Sequence, residues 1–190
     1  MLRTEDPNQS AGASDNGERP AVFVDLDTVM LAAHREPRGI KLGVQADLAG
    51  GLQRLAEVAD AIVVLAFPVN EASALQMPAE QRLEALAAGL GPTMDRLRVV
   101  GCPHGDQACE CAKPGVGLIG VAVERFGLAK RGSWFIGGDQ EGMAAGRNAG
   151  LRTVRIGPAG DDPMSSIHRP DIEARDLLDA ANQIMVEALG

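Results

Sequence analysis

Short apolar runs of strand length alternate along this sequence with segments that have the periodicity of helices. The strand-like runs are Ala21–Leu26, Ala61–Phe67, Leu97–Val100, Ser133–Ile136 and Thr153–Ile156. The helical patterns are Asp47–Ala59, Ala79–Leu90, Val116–Phe126, Gly142–Ala149 and Asp171–Leu189. Apolar strands separated by amphipathic helices indicate a parallel sheet with helices on both faces. The sequence therefore predicts an α/β domain, and in such sheets ligands bind beyond the carboxyl ends of the strands.

The composition favours a globular domain and argues against two classes of partner. The chain has 190 residues, 45% of them apolar, and no apolar run long enough to cross a membrane. Its formal net charge of −8 argues against nucleic acid or an anionic membrane as the main partner, since both need a basic surface. A small anionic substrate stays compatible with this charge, because a bound divalent cation reverses the local field.

The first twenty residues, Met1–Pro20, are polar and rich in Ser, Asn, Asp and Gly. They have no apolar core of the kind that a secretory signal needs, so we expect a disordered tail. A single domain over residues 21–190 would follow it. With no targeting signal in view, we expect the protein in the cytoplasm.

Two aspartates, Asp25 and Asp27, stand at the end of the first predicted strand. If the strand continued, its period of two would point both side chains the same way. Two carboxylates so placed are costly unless a metal or a substrate group uses them. The pair is therefore either a carboxylate nucleophile with a neighbouring acid/base, or a solvated strand end or the cap of a following turn.

A third aspartate, Asp139, follows the strand Ser133–Ile136 in the run IGGDQEG. If this strand lies beside the first one, Asp139 and Asp25 converge on one cation, and oxygen ligands are what Mg²⁺ prefers. The alternative for Asp139 is a helix N-cap. Farther along, Gly146 and Gly150 are expected to let the next helix pack closely on the sheet.

One lysine, Lys113, stands just before another predicted helix, with Pro114 at the first helical position. A lysine at this place can neutralise a phosphate and the charge of a nucleophilic aspartate. The alternative is a solvated lysine at the end of a loop, which is the common case.

All three cysteines and one histidine lie within ten residues, at Cys102, His104, Cys109 and Cys111. Three thiolates and an imidazole complete a tetrahedral Zn²⁺ shell and leave no open position for water. The pattern therefore predicts a structural zinc site that pins this loop. The alternative is a set of reduced cysteines that bind no metal.

These elements, in this order, resemble the haloacid dehalogenase superfamily, and the cysteine loop is similar to that of its heptose-bisphosphate and histidinol-phosphate phosphatases. The first motif of that group, Asp-x-Asp-Gly-Val/Thr, is matched by Asp25, Asp27 and Val29. The zinc loop and its Lys-Pro are matched by Cys102, His104, Cys109, Cys111, Lys113 and Pro114. The last motif is matched by Gly138, Asp139, Met143, Ala145, Gly146, Ala149 and Gly150. The resemblance covers about Ala21–Ile156.

The resemblance implies a Rossmann-like three-layer sandwich with strand order 3-2-1-4-5 and no large cap domain. It implies a phosphatase that acts on a small phosphorylated metabolite, of the sugar-phosphate or histidinol-phosphate type. Asp25 would attack phosphorus and form an aspartyl-phosphate, while Asp27 would protonate the leaving alcohol and then activate water. A Mg²⁺ ion held by Asp25, Asp139 and the carbonyl of Asp27 would offset the phosphate charge together with Lys113.

Four places depart from the family pattern, and all are expected near the phosphate. They are Ala66-Phe67-Pro68 for Thr-Asn-Gln, Ala112 for Arg, Thr28 for Gly, and Gly142 for an acidic residue, with Glu141 beside it. The positions expected to line the phosphate are Thr28, Ala66 and Lys113.

The departures motivate a second hypothesis, a catalytically impaired relative that serves as a binding or scaffold module for a protein partner. Phe67 and Pro68 are expected to make one corner of the pocket apolar, which would suit a partner side chain. A plain nucleotide-binding Rossmann domain is disfavoured, because no Gly-x-Gly-x-x-Gly follows the first strand.

Overall fold

Strands and helices alternate through most of the chain. The computed structural model describes residues 19–34, 42–68, 79–90, 97–102, 104, 109–157 and 169–189. The strands are β1 Arg19–Asp25, β2 Ala61–Ala66, β3 Leu97–Gly101, β4 Leu128–Gly137, β5 Arg152–Ile156 and β6 Ile172–Ala174. The helices are α1 Leu26–His34, α2 Leu42–Val58, α3 Ala79–Leu90, α4 Gly117–Phe126, α5 Gln140–Asn148 and α6 Leu177–Leu189.

The six strands form one parallel sheet in the order β3-β2-β1-β4-β5-β6. The predicted order of the first five strands is confirmed, and β6 adds one strand at the edge. In the register, Asp25 of β1 lies opposite Leu65 of β2, and Val24 lies opposite Ile136 of β4. The carboxyl ends of β1 and β4 are therefore neighbours in the sheet.

Helices cover both faces of the sheet. Strand side chains alternate between the two faces, so apolar side chains on each face must be buried. Val22 and Val24 of β1 join one buried cluster, and Phe23 joins the other. Residues of α1, α2, α3 and α6 fill the first cluster, and residues of α4 and α5 fill the second. The predicted three-layer sandwich is confirmed. None of the helices in the described ranges has the length and apolar content needed to span a bilayer.

The predicted helix Asp171–Leu189 is wrong in its first part. Strand β6 occupies its start, and the helix begins only at Leu177. The two end residues of β6 are buried and Glu173 between them is exposed, which is the alternation of a strand. Pairing with β5 and burial of Ile172 therefore outweigh the helical pattern that the prediction extended too far.

The start and the end of the first strand also differ from the prediction. Strand β1 begins at Arg19, inside the segment expected to be a disordered tail, whose residues 1–18 lie outside the described part of the chain. The strand ends at Asp25, and α1 follows directly. Leu26, Val29 and Met30 are all buried, and their spacing of three and four residues is that of a helix face on the core.

Two glycines of the α5 region have different roles. A Cβ atom at Gly146 would lie 2.9 Å from Phe135 Cβ and from Thr153 Cγ2, so the predicted close packing of helix and sheet is confirmed there. The same prediction for Gly150 is wrong, because no atom lies within 4 Å of a Cβ built at this residue. Gly150 has φ +81°, a left-handed conformation that suits glycine at the end of a helix.

Adjacent glycines in α2 provide a test of the packing between α2 and α6. A Cβ at Gly51 would lie 2.9 Å from Leu177 Cβ, whereas nothing lies within 4 Å at Gly50. We predict that Gly51→Ala lowers the free energy of unfolding by about 1–3 kcal/mol through overpacking. Gly50→Ala should instead raise it by up to about 1 kcal/mol through helix propensity. Urea denaturation of both variants measures the difference, and equal effects would contradict the close contact.

Candidate active site

The predicted site residues lie at the carboxyl edge of the sheet. Asp25 is the last residue of β1 and is fully buried. Asp139 follows β4 by two residues and is the N-cap of α5. Lys113 precedes α4, which packs on the same face of the sheet as α5. Because β1 and β4 are parallel neighbours, their ends bring these side chains to one place.

The ammonium of Lys113 joins two carboxylates. Its Nζ donates to Asp25 Oδ2 at 3.0 Å and to Asp139 Oδ2 at 2.6 Å. Only 7% of the Lys113 side chain and none of the Asp25 side chain is exposed, so little water screens the contact between them. The structure therefore brings Asp25, Lys113 and Asp139 together, and it does not bear out the alternative of a solvated lysine.

The electrostatics of the site reflect burial and crowding of charge. Burial raises the pKa of Asp25 to about 6, although the Lys113 ammonium opposes the rise. The nearby charges of Asp27 and Asp139 add to it. Burial by itself lowers the pKa of Lys113, but the Asp25 and Asp139 carboxylates outweigh this and raise it above the ordinary lysine value. Two carboxylates, those of Asp25 and Asp139, thus share the Lys113 ammonium, and the charge of Asp27 acts on Asp25.

Asp27 and Thr28 reach the site from the first turn of α1, and both are 5% exposed. The backbone N–H of Asp27 donates to Asp25 Oδ1 at 3.0 Å. The expectation that a continuing strand would align the two aspartates is wrong, because a helical turn brings them together instead. Thr28 packs against the turn after β4, since a Cβ at Gly138 would lie 3.2 Å from its Oγ1.

Asp139 uses its two oxygens for different partners. Oδ1 accepts from the backbone N–H of Gly142 at 2.6 Å, which caps the N-terminus of α5. Oδ2 accepts from Lys113. The N-cap alternative is therefore realised, and it leaves half of the side chain exposed.

Gly142, one of the positions that depart from the family pattern, lies at this site. A Cβ at Gly142 would be 3.7 Å from Asp25 Oδ2 and 3.1 Å from Asp139 Oδ1, so a side chain here would enter the site. Ala66 is fully buried at the end of β2. Phe67 is 1% exposed and Pro68 is also buried, so the expectation of an apolar pocket corner at Phe67 is wrong.

One contact that sequence reasoning missed involves Phe67. The Lys113 Nζ lies 5.6 Å from the centre of the Phe67 ring. The only signal in the sequence is an aromatic residue placed directly after β2. An aromatic residue in this place is equally consistent with an ordinary residue of the hydrophobic core.

The donor set of this site fits a hard divalent cation. Asp25, Asp27 and Asp139 carry three carboxylates against the single positive charge of Lys113, and their repulsion contributes to the raised pKa of Asp25. Mg²⁺ prefers oxygen ligands and is usually held by one or two carboxylates, which this site can supply. Position 142 contributes no further carboxylate.

The four sulfur and nitrogen donors of the cysteine loop also converge. The ligand atoms of Cys102, His104, Cys109 and Cys111 all lie within 4.8 Å of one another. Cys102 Sγ is 3.4 Å from Cys109 Sγ, and His104 Nδ1 is 3.7 Å and 3.8 Å from the Sγ atoms of Cys102 and Cys111. In a tetrahedral zinc shell, bonds of about 2.3 Å to sulfur and 2.0 Å to nitrogen place neighbouring donors roughly 3.5–3.8 Å apart. The cluster fits such an ion.

A tight backbone turn joins the cysteine cluster to Lys113. The carbonyl of Glu110 accepts from Gly117 N at 3.0 Å, and a Cβ at Gly115 would lie 2.3 Å from this oxygen. Cys111 is buried against the core on the α4 and α5 face of the sheet. Lys113 lies between these fixed points, so the position of its backbone depends on the cluster.

Comparisons with known proteins give the fold and a partial sequence match. No family model matches the chain. It is 33% identical over 76 residues to D-glycero-beta-D-manno-heptose-1,7-bisphosphate 7-phosphatase of Pseudomonas putida, a match that spans 40% of the chain and 42% of that relative.

Among solved structures, the D,D-heptose 1,7-bisphosphate phosphatase from B. bronchiseptica, complexed with magnesium and phosphate, is similar with a TM-score of 0.57 and 18% identity. That match covers 88% of this chain and 99% of the other. A haloacid dehalogenase-like hydrolase from Streptococcus pneumoniae has a TM-score of 0.53 and 13% identity, covering 86% and 97%. These similarities identify the haloacid dehalogenase fold.

The bridge through Lys113 predicts a pH-dependent loss of stability in its absence. Lys113→Met should destabilise the metal-free protein by about 3 kcal/mol near pH 8, because Asp25 would stay buried without a cation. The loss should shrink as the pH falls below the Asp25 pKa of about 6, since the carboxyl then becomes neutral in both proteins.

Urea denaturation in EDTA at both pH values measures this loss. Lys130→Met, at an exposed lysine of β4, is the matched control and should change stability by less than about 0.5 kcal/mol. A loss for Lys113→Met that is the same at both pH values would argue against the buried ion pair.

Proposed function

We infer that this chain, which has the haloacid dehalogenase fold and a sequence similar to the heptose-bisphosphate phosphatases, is a Mg²⁺-dependent phosphatase. Its substrate class is a phosphomonoester of a small, sugar-like metabolite, in keeping with the names of the relatives. The reaction passes through an aspartyl-phosphate on Asp25. Because the sequence match covers less than half of each relative, the activity rests on the site itself.

The observation that supports this function most strongly is the shared ammonium. Lys113 Nζ lies within hydrogen-bonding distance of both Asp25 and Asp139, which come from neighbouring strand ends. A nucleophile, a cation and a metal-binding carboxylate therefore meet at one point. This is the arrangement that phosphoryl transfer needs, since the reaction depends on positioning and on neutralising charge.

Each side chain has a distinct task in the proposed reaction. The Asp25 carboxylate attacks phosphorus, and the bond from phosphorus to the substrate oxygen breaks. Asp27, in the first turn of α1, gives its proton to the leaving oxygen. It then takes a proton from water, which attacks the aspartyl-phosphate and releases phosphate with Asp25 restored.

The charge of the transferring group is offset on two sides. Lys113, held by Asp25 and Asp139, places a positive charge beside the attacking carboxylate. A Mg²⁺ ion held by Asp25, Asp139 and the carbonyl of Asp27 would supply a further positive charge to the phosphate oxygens.

A binding module without turnover is the second candidate function. Gly142 faces the carboxylates of Asp25 and Asp139 but brings no acidic group, and Ala66 brings no hydroxyl. Loss of the one hydroxyl donor at position 66 costs roughly 3 kcal/mol, or about a hundredfold in rate. Binding of Mg²⁺ and phosphate with no phosphate release from any substrate would favour this candidate.

The phosphatase function predicts Mg²⁺-dependent phosphate release that requires Asp25. Over a panel of sugar phosphates and an aryl phosphate, Asp25→Asn should lower kcat at least about a thousandfold. Its thermal unfolding midpoint should not fall, because burial disfavours the ionised carboxyl and raises its pKa. Asp60→Asn, at an exposed aspartate, is the control and should keep the wild-type rate. Equal rates for the two variants would refute the role of Asp25.

We also propose that the cysteine cluster holds a structural Zn²⁺ ion. The four donors leave no open position, so this ion would stabilise the loop rather than take part in the reaction. Burial and the neighbouring Cys102 raise the pKa of Cys111 to about 12. Metal binding must therefore displace a proton, and it should weaken in acid.

The zinc proposal predicts about one Zn²⁺ per chain in protein purified without chelators, measured by plasma mass spectrometry. Cys109→Ser should lose most of this zinc and lower the thermal unfolding midpoint. A strong chelator should give the wild-type protein the same midpoint. The structural site would be excluded if the purified protein held no zinc and if neither Cys109→Ser nor the chelator changed the thermal unfolding midpoint.

A further inference from the structure

The ring of Phe67 lies close to the ammonium of Lys113. Its ring is 1% exposed, so it does not form part of the pocket surface. The centre of the ring lies 5.6 Å from Lys113 Nζ, within the range of a cation–π interaction. The ammonium therefore has a third partner besides the carboxylates of Asp25 and Asp139.

A second aromatic residue fixes the orientation of this ring. Phe135 of β4, fully buried, meets Phe67 edge to face, with ring centres 6.3 Å apart and planes at 71°. Glycines leave room for Phe135, since a Cβ would come within 2.7 Å of its Cε1 at Gly137 and within 3.4 Å at Gly142. A favourable edge contact in a close-packed core gives the Phe67 ring little freedom to turn.

Two departures from the family pattern thus belong to one packing arrangement. Phe67 replaces a polar residue, and Gly142 replaces an acidic one. Both are in contact with the ring of Phe135 or leave space for it. A Cβ at position 142 would lie 3.1 Å from Asp139 Oδ1 and at ordinary contact distance, 3.4 Å, from the Phe135 ring.

We propose that Phe67 is a positioning residue that holds the Lys113 ammonium over Asp25 and Asp139 through the face of its ring. The proposal rests on the proposed function in that Lys113 neutralises charge in the reaction. The ring sets where this charge stands. Loss of ring electron density should therefore free the ammonium even if the shape of the core is unchanged.

The test replaces Phe67 by pentafluorophenylalanine, which keeps the ring shape and removes its attraction for a cation. Phe23, fully buried in the same cluster, receives the same replacement as the matched control. The readout is the exchange of lysine ammonium protons with water, followed by ¹⁵N NMR in metal-free protein. The chain has only three lysines, and Lys113→Met assigns the signal of Lys113.

We expect the fluorinated ring at position 67 to speed the exchange at Lys113 by about three- to tenfold, and the ring at position 23 to leave it unchanged. In assays of phosphate release, the fluorinated ring at position 67 should lower kcat by about three- to tenfold and leave KM unchanged. Phe67→Leu is a second variant, which should speed the exchange at least as much.

Unchanged exchange at Lys113 in the Phe67 variants would overturn the proposal, and so would an equal change in the Phe23 variant. The NMR readout does not depend on turnover. If no form releases phosphate and the exchange still responds to the ring at position 67, the positioning role is supported while the proposed reaction fails.

Discussion

The ion bridge from Lys113 to Asp25 and Asp139 is the interaction on which the site depends. A carboxylate as deeply buried as that of Asp25 is unfavourable in its ionised form, and its raised pKa shows this cost. The ammonium offsets the cost only if it stands within hydrogen-bonding distance. Three separate elements, β1, the turn before α4, and the start of α5, must therefore be held in fixed relation.

The sheet and the cysteine loop supply this fixed relation in different ways. The parallel pairing of β1 and β4 sets the distance between their carboxyl ends. The lysine, in contrast, comes from a loop with no strand pairing of its own. Its backbone is fixed by the Glu110 carbonyl, which binds Gly117, and by burial of Cys111. A metal in the cysteine cluster would therefore stiffen the one part of the site that the sheet does not hold.

Much of the fold could be predicted because buried parallel strands leave a strong signal. The apolar runs that became β1 to β5 have the length of strands, and they alternate with segments that show helical periodicity. The errors lie where a tertiary contact decides between local alternatives. Strand β6 forms because β5 offers a free edge. Gly150 is needed for its positive φ and not for packing, which no spacing of small residues reveals.

The meeting of Asp25, Lys113 and Asp139 at one edge of the sheet could also be predicted, but the way in which they are held could not. Asp25, Lys113 and Asp139 stand beside strand ends, where polar residues are conspicuous. The contact partners Phe67, Phe135 and Gly142 come from different segments of the sequence. From its neighbours alone, each is interpreted as a core residue or as a lost functional group. Their contacts show that an aromatic pair has taken space at the site. The aromatic pair is therefore part of how the lysine is held, because Phe135 contacts Phe67 and Phe67 contacts the ammonium.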